Sequence, residues 1–244
     1  MIAQVGTIVV GFADNIMVGH YSTQALASSS FVINIFNIVV LCCLGFAYGL
    51  TPLIGMLFSQ KRNSEIGLTL RAGLIANITV GAILSIVMGI LYFFIDEMGQ
   101  PVELLPFIKP YYLIFLASLI PMSVFNTFAQ WSYAVKNTSM PMWILLTCNV
   151  VNIAGNYMLI YGNWGAPELG LIGAGLSTLF VRIIAPLAIM AIFFLKKSNA
   201  GFRAGFLDKK LKVTRSLMSK VVRTSWPVSL QMGCETAAFS TCAV

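Results

Sequence analysis

Long uninterrupted apolar stretches dominate the pattern of hydrophobic and polar positions along this chain. No Lys, Arg, Asp or Glu occurs over positions 15–60, 72–95, 110–135 or 137–167. A helix that crosses a bilayer needs about 20 apolar residues. The stretches lack strict alternation and are far longer than the segments of about 10 residues found in membrane barrels, which favours helices.

The pattern predicts six complete membrane spans and the start of a seventh. The predicted spans are 2–19, 28–58, 68–95, 106–134, 140–161 and 169–195, with the seventh from 224 to the end. The second is longer than one crossing needs, which predicts that it is tilted or projects into water. We therefore predict an all-α integral membrane protein in which six transmembrane helices form one lobe (1–195). A linker (196–223) and a partial seventh helix that begins a second lobe (224–244) follow.

The charged residues between the predicted spans alternate in sign along the chain. The second, fourth and sixth connections, together with Arg71 just beyond the second, carry 13 of the 15 Lys and Arg residues. Basic connections remain in the cytoplasm, which predicts a multi-pass protein of the cell's inner (plasma) membrane with a cytoplasmic N-terminus. The net charge of +7 is then explained by the basic residues of the predicted cytoplasmic connections. The lipid bilayer is the expected partner, and nucleic-acid binding is not expected.

The predicted linker holds nine basic residues. Leu207, Leu211, Met218 and Val222 follow a helical spacing among them, which predicts an amphipathic helix on the inner membrane surface. A flexible basic loop is the alternative. At the other end of the chain, residues 25–27 resemble a signal-peptide cleavage site, but no basic segment precedes them, so we expect the first span to be retained.

Composition excludes several classes of function. The chain is 58% hydrophobic and 9% charged, whereas soluble domains are about 45–50% apolar and about 25% charged. The five Cys lie in apolar runs and the single His is His20, so ligand sets for zinc or iron–sulfur clusters are missing. No phosphate-binding loop and no nucleophile paired with a base at membrane depth is recognisable. We expect neither an enzyme nor a bound cofactor.

Two carboxyl groups lie within predicted spans, where a charge at the bilayer centre costs at least about 2.5–3.5 kcal/mol. Asp14 interrupts the first span and Glu235 the seventh, and neither has Lys or Arg one turn away. Each is therefore either protonated or faces a wet cavity, as a proton-coupled or cation-coupled carrier requires. The alternative for Asp14 is a hydrogen bond that caps or joins a neighbouring helix.

The fifth predicted span carries a polar stripe. Asn149, Asn152 and Asn156 are spaced i, i+3, i+7 and share one helical face. Asn both donates and accepts hydrogen bonds, so this face could solvate Asp14 or offer carbonyl oxygens to a cation. Thr178, in the sixth span, could donate to the same network. Hydrogen bonding between helices is the alternative interpretation.

Other polar residues in the spans are candidates for a substrate cavity. Asn34 and Asn37 form a weaker pair on the second span, and Gln231 lies one turn before Glu235 on the seventh. Arg182 is the one cation well inside a span, and the sequence leaves open whether it snorkels to the surface or pairs with an acid.

Two further patterns concern packing. Gly45-x-x-x-Gly49 favours the close approach of another helix. The 12 Met and 17 Phe could line an adaptable pocket for lipophilic cations, or could simply face lipid.

Four sequence motifs resemble those of one transporter family. The run GFADNIMVGH at 11–20 is similar to the first-span signature of the multidrug and toxic compound extrusion (MATE) family. The runs at 152–162 (NIAGNYMLIYG) and 167–178 (PELGLIGAGLST) resemble its fifth-span motif and the loop leading into its sixth span. Ser225-Trp-Pro, followed by Gln231, Glu235 and Phe239, resembles its seventh span. The matches occur in family order over nearly the whole chain.

The resemblance implies a secondary exporter of cationic or amphipathic compounds that works by alternating access and is driven by inward Na⁺ or H⁺ flow. It assigns cation or proton coupling to Asp14, Asn152, Asn156 and Thr178, with Na⁺, if bound, at the first three. It extends this coupling role to Glu235, which matches an acid that belongs to the second lobe. Asn156 replaces an acid found in some members, which leaves the coupling ion open.

The family also has two six-span lobes, and this chain stops about 20 residues into the seventh span. We therefore expect a fragment of a chain roughly twice as long, with the missing second lobe as a partner. A flippase for lipid-linked precursors is the alternative function. It predicts more cavity Arg and Lys than Arg182 alone. An intramembrane enzyme is a third possibility.

Overall fold

A computed structural model describes the backbone of residues 2–208 and 211–242, and the side chains of residues 10–208 and 211–235. These residues form nine α-helices and no strand. The helices are α1 (Ile2–Tyr21), α2 (Thr23–Tyr48), α3 (Leu50–Ser59), α4 (Asn63–Tyr92), α5 (Leu105–Ala134), α6 (Ser139–Tyr161), α7 (Leu171–Leu195), α8 (Ala200–Leu207) and α9 (Arg215–Cys242). Short 3-10 turns lie at Ile95–Glu97, Val102–Leu104, Asn163–Gly165 and Lys197–Asn199.

Five helical segments among the described residues are long and apolar enough to cross a membrane. They are Thr23–Ser59, Asn63–Tyr92, Val102–Ala134, Ser139–Tyr161 and Leu171–Leu195. They correspond to the second to sixth predicted spans, while α1 covers the first predicted span and α9 contains the start of the seventh. Large apolar side chains such as Ile86 and Phe180 are exposed on them, as lipid contact requires. The prediction of an all-α membrane protein is confirmed.

The long second predicted span is not one continuous helix. Helix α2 ends at Tyr48 and α3 begins at Leu50, with Gly49 between them. Pro52, in the first turn of α3, has no N–H to donate to the carbonyl group of Tyr48, and its ring crowds that carbonyl. The span is therefore divided into a long helix and a short one.

The helices form two compact units, each built from three stretches of the chain. Unit 1 comprises Met1–Phe36, Leu84–Leu119 and Met142–Ala185. Its core contains an aromatic cluster in which the rings of Phe36 and Tyr112 meet edge to face, with centroids 4.8 Å apart. The buried Tyr112 hydroxyl donates to the carbonyl oxygen of Met88 at 2.7 Å, which joins α5 to α4 without leaving a polar group unpaired.

Unit 2 comprises Asn37–Ile83, Ile120–Pro141 and Pro186–Val244. Its core is also aromatic: Trp131 and Phe193 are fully buried, with ring centroids 4.9 Å apart. Phe202, from α8, packs against the same Trp131 ring at 5.8 Å. The first part of the predicted linker therefore belongs to the hydrophobic core of this unit.

Helix α8 lies in direct contact with α4 through glycine. A Cβ atom at Gly67 of α4 would overlap the carbonyl oxygen of Phe202, and one at Gly205 of α8 would overlap that of Ser64. Only residues without a side chain allow two backbones to approach this closely. The glycines therefore fix where α8 sits.

This arrangement corrects the single amphipathic helix predicted for the linker. Leu207 ends α8 and Met218 lies in α9, which begins at Arg215, so the four apolar residues do not share one helix. The pattern misled because helical spacing across 207–222 ignores the non-helical segment that precedes Arg215. The cytoplasmic location of the linker stays a prediction.

Helix α9 contacts α2 along a stripe of small residues. A Cβ atom at Gly45 would lie 2.8 Å from the Cα atom of Ser229, and one at Gly49 would overlap Ser225. The Ser229 hydroxyl donates to the carbonyl oxygen of Cys42 at 2.9 Å. The predicted packing role of the Gly45-x-x-x-Gly49 pattern is thus seen within unit 2.

We predict that Gly45→Ala lowers the free energy of unfolding by about 1–3 kcal/mol, because the new methyl group meets backbone atoms that cannot rotate away. The measurement is thermal unfolding of the purified protein in detergent. Gly89→Ala is the matched control, since a Cβ atom there meets nothing within 4 Å. It should be neutral or stabilising by up to about 1 kcal/mol. Equal losses in both variants would contradict the close contact.

Candidate functional site

The candidate site in unit 1 is built around the carboxyl group of Asp14, which lies within α1. Asp14 of α1 is half-buried, and the side-chain amide of Asn156, on α6, donates to its Oδ1 at 2.5 Å. Asn156 is fully buried. The contact joins residues 142 positions apart in the chain, so folding of the two helices against each other creates it.

A second polar contact lies one turn away on α6. Nδ2 of Asn152 is 3.4 Å from both the Ser177 and the Thr178 hydroxyl oxygens of α7. The Ser177 hydroxyl in turn donates to the backbone carbonyl oxygen of Asn152 at 3.0 Å. The polar face predicted for the fifth span therefore contacts Asp14 at one level and α7 at the next.

Glycine residues allow α6 and α7 to approach closely at this site. A Cβ atom at Gly155 would lie 2.5 Å from the Ser177 hydroxyl oxygen, and one at Gly173 would overlap the carbonyl oxygen of Leu159. On the other side, the Tyr161 hydroxyl donates to the backbone of Met17 at 2.9 Å and ties α6 to α1. These contacts hold the Asn side chains in position.

Two acceptor atoms at the site are unsatisfied. Oδ1 of Asn152 and Oδ1 of Asn156 are buried and have no hydrogen-bond partner among the described residues. Buried polar atoms are nearly always paired, so an unpaired acceptor indicates that a donor or cation belongs beside it. Amide and carboxylate oxygens are the ligands that a hard cation prefers. The two amide oxygens can equally accept hydrogen bonds from a protonated group.

A cavity of about 150 Å³ in unit 1 opens onto the carboxyl group. Asp14, Tyr111, Thr178 and Arg182 all line it. Arg182 donates from Nη1 to the Ser118 hydroxyl at 2.7 Å, and its guanidinium lies 4.9 Å from the centre of the Phe115 ring. The cation is thus anchored inside the unit.

The structure joins only some of the residues singled out from the sequence. Asn149 is half-buried and has no hydrogen-bond partner among the described residues. Asn34 of unit 1 and Asn37 of unit 2 are exposed on α2. In unit 2, Gln231 donates to Glu235 at 2.9 Å, and both side chains are exposed.

Three residues of the site were not found from the sequence. Ser177 adjoins Thr178 within the motif at 167–178, which could have drawn attention to it. Ser118 and Tyr111 lie in the apolar run of α5 and give no local signal. Only the packing of α5 against its neighbours brings Tyr111 to the cavity and Ser118 to Arg182.

The described residues contain no group of three His, Cys, Asp or Glu side chains that could hold a metal ion. Their cysteines, Cys42, Cys43, Cys148 and Cys234, are free thiols. The unpaired amide oxygens near Asp14 are what make its surroundings a candidate cation site.

The fold and the site define a multi-pass membrane protein with a polar centre between its helices. The MatE family model matches residues 1–158. The chain belongs to the MatE family, the multidrug and toxic compound extrusion family whose motifs it carries. A second family model, lipid II flippase MurJ, matches residues 108–233.

Curated relatives agree with the family. The chain is 26% identical over 244 residues to the probable multidrug resistance protein NorM of Oceanobacillus iheyensis, covering 98% of this chain and 54% of that protein. It is likewise 26% identical to NorM of Bradyrhizobium diazoefficiens, covering 100% of this chain and 52% of that protein. The chain thus spans about half the length of the curated relatives it matches.

Solved structures share the fold. The eukaryotic MATE transporter AtDTX14 superposes with a TM-score of 0.84 at 16% identity, over 99% of this chain and 53% of that one. An outward-facing multidrug resistance MATE transporter of the MOP superfamily gives a TM-score of 0.83 at 18% identity, over 95% and 50% of the two chains. Helices in this order thus form half of each of those folds.

We predict that Asn156→Leu lowers the free energy of unfolding by about 1–3 kcal/mol, because Asp14 loses its amide donor in a buried place. The loss should be larger at alkaline than at acidic pH, since protonation of Asp14 removes the uncompensated charge. Asn149→Leu, on the same helix but without a bonded partner, should change little. A pH-independent loss, or equal losses in the two variants, would contradict the importance of this contact.

Proposed function

We propose that the chain forms the first lobe of a secondary multidrug exporter in the plasma membrane, with its N-terminus in the cytoplasm. Inward flow of Na⁺ or H⁺ drives export of small amphipathic or cationic compounds. Family membership and the NorM relatives support efflux, while the length of those relatives supports a second lobe as partner.

The contact between Asp14 and Asn156 carries this proposal. In a site with one carboxylate, the unpaired oxygens of Asn152 and Asn156 and the Thr178 hydroxyl offer a cation several oxygen ligands. A proton on Asp14 would neutralise the same site without further ligands. Both ions act on one carboxyl group, which makes Asp14 the coupling residue in either case.

Coupling follows from the charge of Asp14 in the two states of the transporter. An ion that binds one state more tightly than the other shifts the equilibrium between outward-facing and inward-facing forms. A membrane potential of 100 mV adds about 2.3 kcal/mol for each charge that moves inward. Neutralising Asp14 from outside and releasing the ion inside would therefore give the cycle its direction.

Exposed polar side chains inside the predicted spans are candidates for substrate contact. In unit 1 Asn34 is exposed, and in unit 2 Asn37 and Gln231 are exposed, where contact with lipid would be unfavourable. We propose that each of them faces water in the completed transporter and that their oxygens attract the cationic groups of substrates. Asn149 of unit 1 is proposed as a further substrate contact, and Glu235, which accepts a hydrogen bond from Gln231, as a further coupling residue.

A lipid flippase is the second candidate. The match to the lipid II flippase family over 108–233 favours it, and this region contains Arg182. A pyrophosphate-linked lipid requires several cationic side chains, however, and Arg182 is the one cation of the cavity around Asp14. The exporter is therefore the function that the site supports best.

We predict that Asp14→Asn abolishes gradient-driven efflux in the complete gene product that contains this chain. The amide cannot take up a proton, and it has no negative charge with which to balance a bound cation. The measurement is efflux of a fluorescent organic cation from vesicles under imposed Na⁺ gradients and pH gradients. Efflux should fall to the level of vesicles without the protein.

Asp96→Asn is the matched control. Asp96 is exposed and pairs with Lys109 at 2.9 Å in a surface connection, so its loss should leave efflux unchanged. Both variants are compared at equal amounts in the membrane. Efflux by Asp14→Asn that still follows the gradients would show that coupling lies elsewhere.

A further inference from the structure

The guanidinium of Arg182 is held in a defined place rather than extended to the membrane surface. Its hydrogen bond to Ser118 and its position over the Phe115 ring both come from α5. A charged arginine in the hydrophobic interior of a membrane costs free energy, and such residues are usually found where they form ion pairs or take part in transport. Neither contact neutralises its charge.

Arg182 and Asp14 line the same small cavity, and their opposite charges attract each other across it. The remaining titratable group of the cavity is Tyr111, from α5. Helix α2 contributes Ser29 and Ile33, which carry no charge. Asn156 of α6, whose amide donates to Asp14, is also uncharged. The described part of the cavity is therefore neutral when Asp14 is ionised and has a net charge of +1 once Asp14 binds a cation or a proton.

We propose that Arg182 is a resident counter-charge that sets the affinity of the Asp14 site for the coupling ion. This inference rests on the proposed function of Asp14. The fixed positive charge stabilises the empty, ionised site and repels an entering cation. It thereby weakens ion binding and speeds ion release, which a cyclic transporter needs once in every turnover.

The hydrogen bond and the charge of Arg182 can be separated by substitution. Arg182→Gln keeps a donor for Ser118 and removes the charge, whereas Arg182→Lys keeps the charge. Ser118→Ala removes the hydrogen bond and leaves the charge in place. A purely structural role would make the Gln variant resemble the parent and the Ala variant defective.

The test uses the complete gene product in vesicles and measures initial efflux of a fluorescent organic cation. The rate is followed against Na⁺ concentration at fixed pH, and against proton concentration at fixed Na⁺. For the ion that drives the parent, Arg182→Gln should lower the half-saturating concentration about tenfold, the low end of what a nearby opposite charge does to a carboxyl group. The maximum rate should also fall, because the ion leaves more slowly. Arg182→Lys and Ser118→Ala should keep the parent's half-saturating concentration.

Ser118→Asp is a second way to cancel the positive charge of Arg182, and it retains the arginine itself. A carboxylate beside the guanidinium cancels its charge, so the half-saturating concentration should fall as in Arg182→Gln. An unchanged value in these two charge-cancelling variants, each shown to be folded and inserted, would overturn the proposal. So would an equal shift in Arg182→Lys.

Asp14→Asn separates this inference from the proposed function. If Asp14→Asn abolishes the dependence on the ion while Arg182→Gln leaves the half-saturating concentration unchanged, the role of Arg182 is wrong and that of Asp14 stands. If Asp14→Asn retains the parent's ion dependence, the proposed function fails, and the role of Arg182 fails with it.

Discussion

A carboxyl group inside a hydrocarbon layer has to find its hydrogen-bond donors within the protein, and this requirement organises unit 1. The only donor to Asp14 among the described side-chain hydrogen bonds is Asn156, on a helix far along the chain. That amide can reach Asp14 only if α1 and α6 are packed at one register. The register in turn places Asn152 against Ser177 and Thr178. The proposed coupling site and the packing of the unit are therefore one set of interactions.

Close helix contacts make such registers possible where hydrophobic attraction does not help. Lipid tails are as apolar as leucine, so membrane helices associate through van der Waals contact and hydrogen bonds that need short distances. Gly155 and Gly173 provide that distance between α6 and α7, and Gly45 provides it between α2 and α9. In each case a small residue lies next to a hydroxyl or a carbonyl group. The hydrogen bonds between these helices thus require the short backbone distances that the glycines allow.

Much of this could be read from the sequence, and the remainder has identifiable physical reasons. The helices follow from long apolar runs, and the face shared by Asn152 and Asn156 follows from helical periodicity. Ser118 and Tyr111 could not be found, because a polar residue in an apolar run has no signature until a partner helix is known. The helix predicted for the linker from Leu207, Leu211, Met218 and Val222 differs from the structure because helical spacing does not reveal the non-helical segment at 211–214. Nor does it reveal that Phe202 is buried against Trp131. The division of the second predicted span at Gly49 has a signal in the sequence, Pro52, although the length of the apolar run alone predicts a single span.

Because α8 packs against α4, the segment that connects the first predicted lobe to α9 is shorter than the predicted linker. The sequence suggested 28 residues of linker over 196–223, but only seven positions separate the end of α8 at Leu207 from the start of α9 at Arg215. A fully extended chain of this length spans at most about 25 Å. Any displacement of α9 away from α8 is bounded by that reach. The close contact at Gly67 and Gly205 thereby limits the length of chain that is free to move between α8 and α9.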